Sequence, residues 1–336
     1  VRIERTRLHP VRLDLRAPLA TGHGLIRQRE GFLVEVIAAS GTVGWGECLP
    51  LPGFGDAAAC MRAALECAAL DCEARERGEP LAAYLTSGGP ARRHIPLSAL
   101  VSGDSQDAAA DEAARAVADG FAALKLKLGA RDLARDEARV AAVRQAAGPG
   151  IGLRLDANGA WTEREALCAL ERLARYDVAF VEQPVPAQDL PALARVRRAA
   201  PIPVAADEAV LDEDSAVRVL EAGAADWLVL KPAIAGLRAA VRVAERARRC
   251  GVGVVVTGFL DSAIGRTAAA HVAAALPDPI APAGLATGAL LRDDLSGEEG
   301  IEGGALQLPE GAGLGLTPDP GRLARLASGK PRELAA

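Results

Sequence analysis

Hydrophobic and polar positions change their rhythm twice along this chain. Over the first 46 residues they alternate: Arg2–Leu15 swaps sides roughly residue by residue, Phe32–Ala38 is apolar and β-branched, and Ser40-Gly41 is a turn signal. A period of two predicts strands, here a meander. Pro18–Arg29, with Gly22 and Gly24 around His23, predicts a mobile loop, and Leu49–Gly55 (LPLPGFG) predicts a second. Asp56–Arg77 is Ala-rich with helical spacing, and Asp56 suits its N-cap.

From His94 short apolar runs alternate with charged, Ala/Arg-rich helical stretches. The candidate strands are Ile95–Val101, Ala123–Leu128, Gly152–Ala157, Ala179–Glu182, Val204–Asp207, Trp227–Leu230, Gly253–Thr257 and a weak eighth near Ala283–Thr287. Spacings of about 25–30 residues are those of strand–helix units in a parallel sheet. Eight units predict an α/β fold, a (β/α)8 TIM-type barrel over 94–295 that carries the active site. A doubly wound open sheet is the alternative, but no G-x-G-x-x-G follows the first strand. The GAGLG at Gly311–Gly315 comes late and suits a turn. Residues 1–93 then form an α+β capping domain, whose loops at about 17–29 and 49–55 are either plain connections or a lid. Residues 296–336 form a C-terminal segment expected to return to it.

Composition narrows the function. Half of the 336 residues are hydrophobic, enough for a sizeable core, while aromatics are only 3%. A net charge of −5, no long Lys/Arg run and few aromatics argue against a nucleic-acid partner. No apolar run has membrane-spanning length and no signal-peptide pattern opens the chain. Cysteines 48, 60, 67, 72, 168 and 250 form neither a disulfide framework nor a C-x-x-C pair, so a cytoplasmic, reduced setting is expected. Four scattered histidines and no H-E-x-x-H make a zinc site unexpected. Oligomeric state leaves no mark.

The chemistry lies at the strand ends. The chain has 39 Lys plus Arg but only four lysines, Lys125, Lys127, Lys231 and Lys330. Unlike arginine, lysine can be brought to give up a proton. Lys125 and Lys127, two apart in a strand, share a face. Strand three ends in Asp156, followed by Asn158; strand four ends in Glu182, strand five in Asp207-Glu208 and strand six in Lys231. One such group per unit, at the C-terminal ends of barrel strands, should converge on one mouth. Three converging carboxylates repel unless a cation joins them, and an all-oxygen set suits Mg²⁺ or Mn²⁺. Taken singly, Asp156 suits a helix cap, Glu182 an arginine partner and Asp207 a turn; the series of five is hard to assign to chance.

Lys127 as a general base needs its pKa to fall from about 10.4 to roughly 7–8, and Lys125 beside it pushes that way. The competing role for both is neutralising the carboxylates. Lys231 suits an acid/base, a charge stabiliser or a Schiff-base amine. Arg154, two before Asp156, is either a substrate contact or, preferably, a partner for Glu208. The Thr257 hydroxyl either meets a ligand or bonds backbone.

The LKLKLG, LRLDANGAW, FVEQP, AADEA and LKP series resembles the enolase superfamily, in its muconate-lactonizing-type subgroup, over nearly the whole chain. Within it GWGECLPLPGFG, REGFLVEV, LRLDANGAWT and GLATGALL most resemble the o-succinylbenzoate synthase family, though related N-acylamino-acid racemases share many of these motifs. The resemblance implies that Asp156, Glu182 and Asp207 hold Mg²⁺, that Lys127 is the base with Lys125 lowering its pKa, and that Lys231 stabilises an enolate from the opposite face. It implies that Asn158 and Glu208 orient the metal ligands, that Thr257 lies near a succinyl group, and that the substrate is a small carboxylate dehydrated in menaquinone biosynthesis. Gly258 and Phe259 depart from the hydroxyl-rich stretch usual in the family. The rivals are a racemase or epimerase of the same fold, a metal-free Schiff-base aldolase using Lys231, and a non-catalytic barrel. Dipeptide epimerases usually carry Asp-x-Asp near the eighth strand, which GLATGALL lacks.

Overall fold

The chain opens with β1 (Ile3–Thr21), β2 (Gly24–Ala38) and β3 (Val43–Cys48), an antiparallel meander. The computed structural model describes all residues except 22–23, 52–54, 87–91, 130–131, 278–279, 298–299 and 335–336. The loop expected over 17–29 is instead the far end of a long hairpin, with Leu19 opposite Ile26, Ala20 opposite Leu25 and Thr21 opposite Gly24. Pro18 lies where the register shifts between Asp14 and Leu19, a bulge at which a missing N–H breaks no ladder bond. The Gly/Pro signals therefore mark a bulge and a tip, with Gly22 and His23 outside the described residues. The other predicted loop is described at Leu49–Leu51 and Gly55, while 52–54 lie outside the described residues.

The helix α1 (Ala57–Arg77) starts where the Asp56 carboxylate accepts from Ala59 N and ends at Gly78. It lies close on β3 because Gly44 and Gly46 carry no side chain: a Cβ there would stand 2.1 Å from Ala68 O and 2.0 Å from Ala64 O. Next come α2 (Leu81–Leu85) and β4 (His94–Pro96).

Seven parallel strands follow in order: β5 (Ser98–Val101), β6 (Ala123–Lys127), β7 (Gly152–Asp156), β8 (Val178–Glu182), β9 (Val204–Ala206), β10 (Trp227–Leu230) and β11 (Gly253–Val256). Between them run α3 (Gln106–Ala118), α4 (Leu133–Ala147), α5 (Glu163–Leu173), α6 (Leu190–Ala199), α7 (Glu213–Glu221), and α8 (Pro232–Ala235) with α9 (Leu237–Arg249); α10 (Ala263–Ala275) follows β11. Ser105, Asp132, Thr162, Asp189, Asp212 and Ser262 cap six of these helices with side-chain oxygens, fixing each loop-to-helix entry. Leu124, Leu126, Leu153, Leu155, Val181 and Leu228 are fully buried, as a sheet covered on both faces requires.

The sheet curls back on itself. Ala283 N donates to Pro96 O and Ser98 N to Ala283 O, while Gly284 N donates to Val256 O and Gly258 N to Gly284 O. One edge thus bonds Ala283 and the other its neighbour Gly284, all that appears of the weak eighth strand among the described residues. Gly284 is needed there because a Cβ would meet the Thr257 methyl at 2.9 Å. The chain ends with β12 (Ile301–Glu302), β13 (Ala305–Gln307) on β4, α11 (Pro320–Leu326), and β14 (Arg332–Glu333), which pairs with β1. A buried cluster that includes Val34, Val36, Cys48, Cys60 and Ala64 packs on Ile234 and Phe259, joining the N-terminal layer to the parallel sheet.

Candidate active site

Register sets the level of the charged groups. Lys127 on β6 is the lateral neighbour of Asp156 on β7, and Asp156 of Glu182 on β8. Asp207 follows β9 and Lys231 follows β10. Carboxylate oxygens of Asp156, Glu182 and Asp207 lie within 4.8 Å of one another, and all three residues are buried. Glu182 Oε1 is buried without a hydrogen-bond partner among the described residues. An orphaned carboxyl oxygen in a buried acidic trio fits a hard divalent cation, and these three side chains would hold it.

Two lysines compensate this charge. The Lys125 ammonium is 2.9 Å from Asp156 Oδ2 and also bonds Glu182, while Lys231 pairs with Asp207. Burial works against charging Lys125, but the Asp156 and Glu182 carboxylates outweigh it and raise its pKa. Lys127 moves the other way: burial, aided by the charge of Lys125, outweighs its acidic neighbours and lowers its pKa. Lys231 is pushed down to about 7 by burial, with Lys125 adding repulsion. Asp156, despite burial, is held below its usual range by Lys125 and Lys127. The arrangement raises the pKa of one lysine and lowers that of its neighbour.

Asn158 adopts a left-handed backbone (φ 46°), a conformation asparagine tolerates. From there its amide N–H donates to Asp156 Oδ1 and its Nδ2 donates to Glu208 Oε1, both at 3.0 Å. Burial, then the nearby Asp156 charge, raise the Glu208 pKa to about 7. Gln183 escaped the sequence analysis. It is fully buried at φ 39°, and its Oε1 accepts from Asp207 N and Ala209 N at 3.0 and 3.1 Å. It thereby fixes the turn that presents Asp207. A polar amide between a strand-end Glu182 and Pro184 was the available signal.

Arg154 does not pair with Glu208. It sits one layer deeper, where Nη1 donates to Pro282 O at 2.7 Å and the guanidinium lies 5.0 Å from the Phe180 ring centroid. Two residues below the strand end, its reach is across the interior to the closing segment. Thr257 is buried, and its hydroxyl has no hydrogen-bond partner among the described residues, so it is not bonding backbone.

A cavity opens over these groups. Lys125, Lys127, Asp156, Asn158, Asp207 and Lys231 line one end; the remainder is Leu, Ile, Phe, Ala and Gly with the hydroxyls of Ser98, Thr257 and Thr287. Leu19 and Ile26 of the hairpin and Leu51 complete the wall. Of the residues predicted for the site, all but Glu182, Glu208 and Arg154 line this cavity, and the first two of those bond residues that do.

Known proteins share this framework. A family model described as enolase C-terminal domain-like matches residues 108–322. The o-succinylbenzoate synthase of Thermobifida fusca (strain YX) is 39% identical over 282 residues, covering 83% of this chain and 80% of its own. The L-Ala-D/L-Glu epimerase of Bacillus subtilis (strain 168) is 31% identical over 364 residues, covering 94% and 96%. Among solved structures, a dipeptide epimerase from Cytophaga hutchinsonii complexed with Mg and D-Ala-L-Val matches with a TM-score of 0.90 at 27% identity, over 100% of both chains.

Proposed function

The chain belongs to the enolase superfamily of enzymes, and from that premise we propose that it is a Mg²⁺-dependent carbon–oxygen lyase dehydrating 2-succinyl-6-hydroxy-2,4-cyclohexadiene-1-carboxylate to o-succinylbenzoate, a step of menaquinone biosynthesis. In this reading the curled sheet is a (β/α)8 barrel, residues 1–93 cap it, and the hairpin end with the 49–55 segment serves as the lid. The enzyme works in the cytoplasm, a setting supported by six free cysteines.

The cavity lining carries the choice of substrate. Its acidic residues, Asp156 and Asp207, both stand at the metal end. Among the described residues no carboxylate lines the far end, where the free ammonium of a dipeptide would need one. The anionic end of a succinyl arm meets hydroxyl donors and apolar walls there, with no lining carboxylate among the described residues to repel it.

Asp156, Glu182 and Asp207 would hold Mg²⁺, which when bound would supply positive charge to offset the anionic charge that develops when a proton leaves the carbon beside a carboxylate. Lys127, as the free amine, takes that proton, and the C–H electron pair moves into the carboxylate as an enediolate. Lys231, on the opposite side, stabilises this charge. The Lys127 ammonium returns its proton to the departing hydroxyl, the C–O bond breaks, and water leaves as the ring becomes aromatic.

The same two lysines support a second reading, racemisation of N-succinylamino acids, because both line the cavity. Incubation in D2O separates the two. Aromatic product without deuterium entering an N-succinylamino acid supports the lyase; deuterium entry without dehydration supports the racemase.

A further inference from the structure

The guanidinium of Arg29 ties together two loops that both contribute to the cavity wall. It is 2% exposed on β2. Its Nη1 donates to Pro50 O at 2.8 Å, and its Nη2 donates to Leu49 O and, at 3.2 Å, to Phe259 O. The first two carbonyls lead into Leu51, and the third precedes Leu260; Leu51, Phe259 and Leu260 all line the cavity. The same guanidinium lies 5.7 Å from the Phe259 ring centroid.

The second loop needs holding. Leu260 has φ 57°, a left-handed backbone that a branched side chain adopts only at a cost. Its neighbours are fixed from several sides. Phe259 N donates to Asp261 Oδ2 at 2.7 Å, Arg266 bonds Asp261 O, and Ser262 N donates to Glu47 Oε1 at 2.9 Å, with the Ser262 hydroxyl on the same carboxylate. Arg29 and Glu47 both belong to the N-terminal layer. Gly265 leaves room for this junction, since a Cβ there would stand 2.6 Å from Glu47 Oε1.

We infer that Arg29 is a positioning residue for substrate selection: it locks the 49–51 segment of the N-terminal layer to the 257–260 loop, so that the wall facing the substrate's distal arm is set by both units together. This deepens the proposed lyase reading and rests on it for the choice of substrate. Arg29 is not among the residues lining the cavity, and its bonds go to the Pro50, Leu49 and Phe259 carbonyls rather than to the carboxylate trio. Its effect should fall on binding of the distal arm rather than on proton transfer.

The test uses the full chain with Mg²⁺, as wild type, Arg29→Met and Arg29→Lys. Methionine keeps apolar volume without donors; lysine keeps the cation but is a point donor that cannot span both loops. Amide hydrogen exchange within 49–51 and 257–262 should quicken about tenfold or more in both variants, while β7 and β8 keep wild-type protection. KM for the hydroxycyclohexadiene acid should rise about tenfold, the range of one lost charged hydrogen bond, with kcat within about twofold. In the wild type, o-succinylbenzoate should protect both loops together. Unchanged exchange in the two loops, or a loss confined to kcat, would overturn the inference. Absence of turnover by the wild type refutes the lyase reading instead, and the exchange data on the variants still decide whether Arg29 couples the loops.

Discussion

Lys125 lies 2.9 Å from Asp156, and that contact keeps its ammonium charged beside Lys127. A fixed cation next to a base holds the base's pKa down. Replacing Lys125 by Met should therefore raise the Lys127 pKa, since one of the two influences lowering it is gone. The acidic, ascending limb of the kcat/KM profile should move to higher pH, with activity at pH 7 down about 10²-fold. A pH–rate profile of the variant checks this; an unmoved limb contradicts it.

Asn158 bonds both Asp156 of the acidic trio and Glu208, the position of a group that supports a metal ligand. Such supporting groups typically tune metal affinity by about 10–100-fold. If the trio holds the metal as proposed, Asn158→Ala should weaken Mg²⁺ binding by that factor, and Glu182→Gln, which removes one of the three carboxylates, should abolish measurable binding. Isothermal titration of the apo proteins with Mg²⁺ reads both. Gln183→Ala should resemble Asn158→Ala, because the Asp207 amide loses its acceptor.

The buried Glu47 makes stability fall with pH. Burial, then the Asp261 charge, raise its folded pKa to about 8. The folded state thus binds a proton that the unfolded chain has released above about pH 4.3. Stability from this group is fully present below that pH and is lost as pH rises towards 8, by on the order of a few kcal/mol. Urea unfolding at pH 5, 6.5 and 8 should show wild type losing stability relative to Glu47→Gln. A difference independent of pH would show that Glu47 does not titrate in this way.

His271 acts with the opposite sign. It is fully buried, accepts at Nδ1 from Ala82 N at 3.1 Å, and burial lowers its pKa to about 4. Unfolded chains take up its proton below about pH 6.5, so stability should be lost as pH falls from there towards 4. Replacing His271 by Asn should flatten the acid side of the stability curve, measured by thermal melts between pH 4 and 7.

The strand-end groups were legible because each closes an apolar run and recurs once per strand–helix unit, from Lys127 to Lys231. Local pattern also marked Asp56 as a cap, which it is. What escaped the sequence were relationships carried by tertiary contact. Pro18 and Gly24 read as a loop, yet the flanking residues pair as a hairpin, because a bulge and a turn use the same residues as a loop. Arg154 shares a face with Asp156, but its layer in the sheet decided its partner. Glu47 and Ser262 are 215 positions apart, and Arg29 and Phe259 are 230 apart; no period connects them.

Proton abstraction by Lys127 at the acidic trio is tested most directly by following o-succinylbenzoate formation from the hydroxycyclohexadiene acid with Mg²⁺, with a chelator, and with Lys127→Ala. Rapid product formation should require the metal and fall about 10³-fold or more in the variant. Dehydration that survives both chelation and loss of the Lys127 amine would contradict it.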